Sequence, residues 1–208
     1  MAEYDYIVVG GGTAGCVIAA RLATDPDVEV LLIEAGPNGH GVSQISEPHL
    51  WPALRRTSLD WGYRYSSSPH VGGRPIGVPS GRVLGGCSAT GDLTWDRGRP
   101  DDYDAWELAG AKGWHHEALL PYFRRAEDWE GGETARRGTG GPLQIETPKD
   151  PHPVGTAFLG AATELGLKQL DDVNGGDNNG NGTGTGGSTP TTVPSILPSV
   201  LPNPTGSG

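Results

Sequence analysis

Apolar positions in the first sixth of this chain fall into short blocks that alternate between strand and helix periods. Tyr6–Val9 is an unbroken apolar run ending in three glycines, as expected of a strand buried on both faces of a parallel sheet. Residues 13–24 carry a helical pattern, and residues 28–33, after the Asp25-Pro26-Asp27 turn, predict a second strand that ends at Glu34. Strand, glycine turn, helix and strand make one βαβ unit, so the fold class predicted is α/β with a Rossmann-type dinucleotide-binding domain. Within the turn, Gly10, Gly12 and Gly15 satisfy G-x-G-x-x-G. Gly10 permits the tight turn, Gly12 leaves room for a pyrophosphate, and Gly15 lets the helix lie close to the strand. The helix points its free N–H groups and positive dipole end at that pyrophosphate. Glu34, nineteen residues after Gly15, is placed to accept hydrogen bonds from ribose hydroxyls, and it disfavours a 2′-phosphate.

Beyond Glu34 the periodicity weakens. Prolines at 37, 48, 52, 69, 75 and 79 predict loop over residues 35–80, with Trp51, Trp61, Tyr63 and Tyr65 as anchors that hold it to a core. Residues 81–89, GRVLGGCSA, form a second glycine-rich turn that reads equally as a hairpin turn or a binding loop. Pro100 with Asp101, Asp102 and Asp104 marks a helix start, where helix capping explains the carboxylates without a metal. His115 and His116 open residues 117–129, an amphipathic segment interrupted by Pro121, and both histidines are expected to face solvent. Residues 142–147 alternate like a strand. Residues 153–166 predict a helix with Phe158, Ala161, Ala162 and Leu165 on one face and Gly166 as its stop.

Composition adds that glycine and proline, 35 and 18 residues of 208, supply about a quarter of the chain. The excess lies from residue 175 onward, a Gly/Asn/Thr linker running into a Pro-rich tail without charge after Asp177, which predicts disorder. Inside it, Asp177, Asn179, Asn181 and Gly182 open like a calcium loop, but Ser188 stands where a bidentate Glu is needed. A net charge of −10 argues against nucleic-acid and anionic-membrane partners. The two cysteines, Cys16 and Cys87, are too few for a disulfide framework, and no signal peptide or membrane span is evident, so the expectation is a cytoplasmic protein.

The opening DYIVVGGGTAGCVIAARL with IEAGP, the loop GRVLGGCSA, and RGRPDDYDAW followed by GW and LLPYFRRAE together resemble the glucose-methanol-choline (GMC) oxidoreductases, closest to choline-dehydrogenase-like members, over about residues 4–176. The resemblance implies FAD, with its ADP half held by Gly10, Gly12, Thr13, Ala14, Gly15 and the pair Glu34 and Ala35. It implies that Arg82, Val83, Gly86 and Ser88 run along the flavin and pyrophosphate and that Trp61 lies near the cofactor. The implied reaction is oxidation of the CH–OH group of a small-molecule alcohol by hydride transfer to the flavin. Cys87 and the Gly91-Asp92 pair depart from the family's S-S-A-x-N-G pattern. Family members are more than twice as long and carry their catalytic histidine near the C-terminus. The expectation is therefore an N-terminal portion with no catalytic base of its own, and the alternative is an inactive product that at most binds FAD or a partner. The domain division expected is residues 1–110 as part of the FAD-binding domain, 111–174 as a helical and strand segment that includes part of a substrate or cap region, and 175–208 as tail. Without a further parallel strand, Tyr6–Val9 is expected to be an exposed apolar edge open to a partner.

Overall fold

The computed structural model describes residues 3–175, 183–184 and 189–190, which divide after Leu93 into two compact units. The candidate calcium loop lies outside the described residues, as does the tail apart from two short strands.

The first unit is built on the predicted βαβ. Strand β1 (Tyr6–Val9) pairs in parallel with β2 (Val30–Ile33), Tyr6 opposite Val30 and Val9 opposite Ile33. Helix α1 (Thr13–Leu22) packs on both strands through its buried small residues Cys16 and Ala19. Small side chains here let the helix axis approach the sheet closely. Burial of β1 on both faces is not realised. Ile7 is 59% and Val9 80% exposed, because α1 lies on the Val8 side of β1 and Ile7 and Val9 point to the opposite face; among the described residues β1 also pairs with β2 alone.

The proline-rich stretch is less irregular than its sequence predicts. It forms a one-turn helix, α2 (Ser43–Ser46), and 3-10 segments at Pro48–Leu54 and Pro69–Val71. Proline at a first helical position loses no hydrogen bond, because that N–H has no intrahelical acceptor. Strands β3 (Tyr63–Arg64) and β4 (Gly77–Val78) form a short antiparallel ladder. Asp60 ties this region together. Its carboxylate accepts from the N–H groups of Arg56 at 2.8 Å, Gly62 at 2.9 Å and Ser80 at 3.1 Å. These bonds, Arg56's foremost, hold its carboxyl below the usual aspartate range. The unit ends in α3 (Cys87–Thr90).

In the second unit, α4 (Pro100–Leu108) begins with the Asp102 carboxylate accepting from the Arg99 N–H. Asp104 accepts instead from the backbone of His116, at the start of α5 (His116–Ala126). The carboxylates of this segment thus serve helix starts. His116 is not solvent-facing: it is 7% exposed, because α4 packs on α5 and the Tyr103 ring closes over the imidazole. Pro121 does not interrupt α5, which runs through it, since one missing backbone bond in an otherwise packed helix is tolerable. Strands β5 (Glu127–Trp129) and β6 (Leu143–Glu146) are parallel, and β9 (Thr189–Pro190) adds antiparallel to β6. Helix α6 (Pro153–Glu164) leads to β7 (Gln169–Leu170), which pairs with β8 (Thr183–Gly184). Gly166 stops α6 as predicted, at φ 83 with the paired bonds Gly166 N–H to Thr163 and Leu167 N–H to Ala162 of a Schellman motif. The predicted apolar face of α6 is only partly used. Ala162 is buried, whereas Phe158 and Leu165 are 65% and 83% exposed, because the helix lies beside β7 with only one edge of that face covered.

A charge cluster occupies the centre of this unit. Glu127, fully buried, accepts from the Arg97 guanidinium, from Trp95 Nε1 at 3.0 Å and from the Gly138 N–H at 2.7 Å. Arg137 stacks over Trp129 and approaches Glu127 and Asp172 at 3.5 and 3.6 Å. Burial holds its guanidinium below the ordinary arginine range. Among the described residues no helix is long and apolar enough to cross a membrane.

Two outcomes are expected. Glu127→Gln leaves buried Arg97 without its anion and Arg137 with Asp172 alone, and loses about 3–5 kcal/mol in urea unfolding. Asp60→Asn melts below the wild type at pH 7. Because the folded-state pKa of Asp60 is depressed, this difference holds above about pH 4 and shrinks as pH falls through the folded value, a trend that thermal melts from pH 7 to 3 would follow.

Candidate nucleotide site

The two glycine-rich turns come together in the first unit. Gly85 N–H donates to the Gly11 carbonyl at 2.7 Å, and Gly10 N–H donates to Ile33 at 2.8 Å, which fixes the first turn against the end of β2. The Thr13 hydroxyl bridges the loops, donating to the Gly85 carbonyl at 3.4 Å and accepting from Ser88 N–H at 3.1 Å. Ser88 Oγ donates to the same Gly85 carbonyl at 2.6 Å. GRVLGG is thus no hairpin turn. It is a loop laid against the first turn and continued by α3.

Glycine is required at several of these contacts for distinct reasons. Gly10 sits at φ 98, where an L side chain is strained. A Cβ on Gly15 would overlap the Gly10 carbonyl oxygen, and one on Gly86 would meet Gly12 Cα at 2.7 Å. Gly12 differs. It adopts an extended φ of −76°, open to any residue, and a Cβ there would touch only Gly86 Cα at 4.0 Å. Among the described residues neither packing nor backbone conformation requires glycine at position 12, and the space beside it is open.

The donors facing that space are also unused. Cys16 N–H makes the first bond of α1, to the Gly12 carbonyl. The N–H groups of Gly12, Thr13, Ala14 and Gly15 precede it without a protein acceptor among the described residues. Four free N–H donors at a helix N-terminus, beside an open glycine, suit a phosphate or pyrophosphate anion.

Glu34, half-buried, accepts from Gly11 N–H at 2.7 Å and from Gly36 N–H at 2.9 Å, one bond on each oxygen. Each oxygen keeps a second lone pair for a ligand hydroxyl. Ala35 follows it, exposed. The Val83 side chain is fully buried, so toward a ligand this residue offers only backbone. Arg82 lies with its guanidinium 5.7 Å from the Trp61 ring and donates through Nε to the Ser58 carbonyl. Trp61 stacks parallel on Tyr63 with centroids 5.8 Å apart.

Three participants escape a motif reading. Gly11 is an unspecified position of G-x-G-x-x-G, yet it is buried, and a Cβ there would press on Leu84 Cδ1 at 2.8 Å. Gly36 has no room for a side chain against the Arg82 carbonyl. Gly85 supplies the N–H that joins the turns. The only sequence trace of all three is the density of glycine at the two loops.

This chain matches the GMC oxidoreductase family over residues 4–191, and it belongs to that family. An oxygen-dependent choline dehydrogenase of Brucella anthropi is 38% identical over 174 residues, which cover 83% of this chain and 32% of that protein. The mitochondrial choline dehydrogenase of Homo sapiens is 40% identical over 180 residues, with 83% and 30% covered. Among solved structures, pyridoxine 4-oxidase from Mesorbium loti aligns with a TM-score of 0.79 and 41% identity over 86% of this chain and 35% of its own. The chain thus spans about a third of the length of the relatives it matches. FAD is the cofactor that accompanies this membership.

Two glycine substitutions separate fold from ligand at this site. Gly15→Ala forces the backbone apart and is expected to lose at least about 1–3 kcal/mol of stability together with FAD retention. Gly12→Ala is expected to melt with the wild type yet retain FAD at least tenfold more weakly, as read by flavin absorbance after gel filtration.

Proposed function

We propose that this chain forms the dinucleotide-binding part of an FAD-dependent oxidoreductase that acts on the CH–OH group of a small alcohol of the choline kind. The observation that carries this reading is the start of α1, where the N–H groups of Gly12, Thr13, Ala14 and Gly15 have no protein acceptor among the described residues and the space beside Gly12 is open. Those donors, on Gly12, Thr13, Ala14 and Gly15, would take the pyrophosphate, and Gly10 sets their direction by turning the chain at the end of β1. Glu34 would accept from the ribose hydroxyls with its remaining lone pairs, and its charge disfavours a 2′-phosphorylated nucleotide.

The second loop has a supporting task. Ser88 and Thr13 keep Gly86 against Gly12, so one wall of the site is backbone alone. Arg82, held by Trp61 and the Ser58 carbonyl, brings a positive charge to that wall. Bound FAD supplies the hydride acceptor for CH–OH oxidation. No residue of this chain is assigned as the base that takes the hydroxyl proton. Buried His116 is spent on packing against Tyr103, and His152 accepts from the Val154 N–H at the start of α6.

The edge of β1 left unpaired among the described residues supports a second reading, a chain that binds nucleotide and adds a strand from a partner without catalysing a reaction itself. The visible spectrum of the purified chain after incubation with FAD and removal of the excess tests the main proposal. A flavin band near one equivalent is expected, with choline bleaching it under anaerobic conditions if the chain is competent for oxidation. A flavin band that choline leaves unchanged favours the second reading. A protein that retains no FAD overturns the proposal.

A further inference from the structure

In the first unit a pocket of about 430 Å³ opens between the turn after the Pro48–Leu54 segment and the β3–β4 ladder. Its lining includes Arg55, Arg56, Arg64, Asp60, Tyr63 and Val78. The volume is within the range of small-molecule sites, about 300–1,000 Å³. Three arginines line it, in a chain whose net charge is −10. Among the described residues none of the three forms an ion pair or a side-chain hydrogen bond. The one acid of the pocket, Asp60, accepts three backbone N–H groups, two on Oδ1 and one on Oδ2, and its charge also interacts with that of Arg55, so it offsets only part of the positive charge.

Two details bear on Arg55 and Arg56. Arg55 stacks over the Trp51 ring at 4.6 Å, which limits the freedom of its side chain. Arg56 sits at φ 61, in the left-handed region that glycine occupies without strain, and the Asp60 bond to its N–H keeps it there. Glycine would close this turn more comfortably. An arginine kept there at a conformational cost points to use of its guanidinium.

We propose that this pocket is an oxyanion site, separate from the glycine turn, that takes a small organic carboxylate or phosphate against Arg55, Arg56 and Arg64, with Tyr63 and Val78 meeting the ligand's carbon skeleton. Guanidinium groups present paired donors that match both kinds of oxyanion. Because all three arginines are exposed, affinity should fall steeply as salt rises. The proposal does not depend on FAD binding, since the glycine turn contributes nothing to the pocket.

Calorimetric titration of the purified full chain at low ionic strength, with inorganic pyrophosphate in one arm and citrate in the other, tests it. Binding of either anion is expected, and the arm that binds tells phosphate esters from carboxylates as the ligand class. Arg56→Gly is the decisive variant, because glycine suits φ 61 and the chain should unfold at or above the wild-type temperature. It and Arg64→Gln are each expected to bind at least tenfold more weakly, while Arg21→Gln, on the exposed face of α1, binds as the wild type. Heat from neither anion overturns the proposal. So does undiminished binding to Arg56→Gly and Arg64→Gln, which would put the anion elsewhere, such as on the glycine turn.

Discussion

The hydrogen bond from Gly85 N–H to the Gly11 carbonyl joins two turns that lie far apart in sequence, and the first unit's chemistry depends on it. Main chain meets main chain there, so side chains are excluded on both sides, at Gly11 by Leu84 and Glu34 and at Gly86 by Gly12. Cys16 Sγ donates to the same Gly11 carbonyl, and Glu34 holds the Gly11 N–H. With Gly11 fully engaged on the inside, the N–H groups of the next four residues are the ones left without a protein acceptor among the described residues. Preorganised backbone donors of this kind need no rearrangement when an anion arrives.

The second unit is held in a different manner. Its centre is Glu127 with Arg97 and Arg137, buried charges that carry a heavy desolvation penalty unless paired and hydrogen-bonded. Trp95, Gly138 and the carbonyl of Arg136 supply extra bonds to Glu127 and Arg97, while the Arg137 guanidinium nitrogens, buried, have none and rely on charge and on the Trp129 ring. Asn174 extends the cluster by accepting from Arg97 N–H and donating to the Trp95 carbonyl. Such a network tolerates few alternative arrangements, so it specifies geometry more than it adds stability.

Both devices substitute for apolar packing in a chain that is only 35% hydrophobic. Several large apolar side chains are nonetheless spent on open surface, on β1 and on α6. The chain spans only about a third of the length of its relatives.

What the sequence by itself determined was local. Period and punctuation specify β1, α1 and β2, because strand and helix periods and the G-x-G-x-x-G turn depend on neighbours a few residues apart. Gly166 likewise ends α6 for a reason contained in its own backbone freedom. Tertiary structure alone decided the roles of Gly11 and Gly36, crowded by residues far along the chain, and of Gly85, whose N–H reaches the Gly11 carbonyl. It also decided that His116 is buried, that α5 survives Pro121, and that Glu127 anchors two arginines, since burial and charge pairing depend on which distant segments meet. Gly12 stands between the two. Its motif names it in the sequence, and only the empty space around it in the fold explains why no other residue is there.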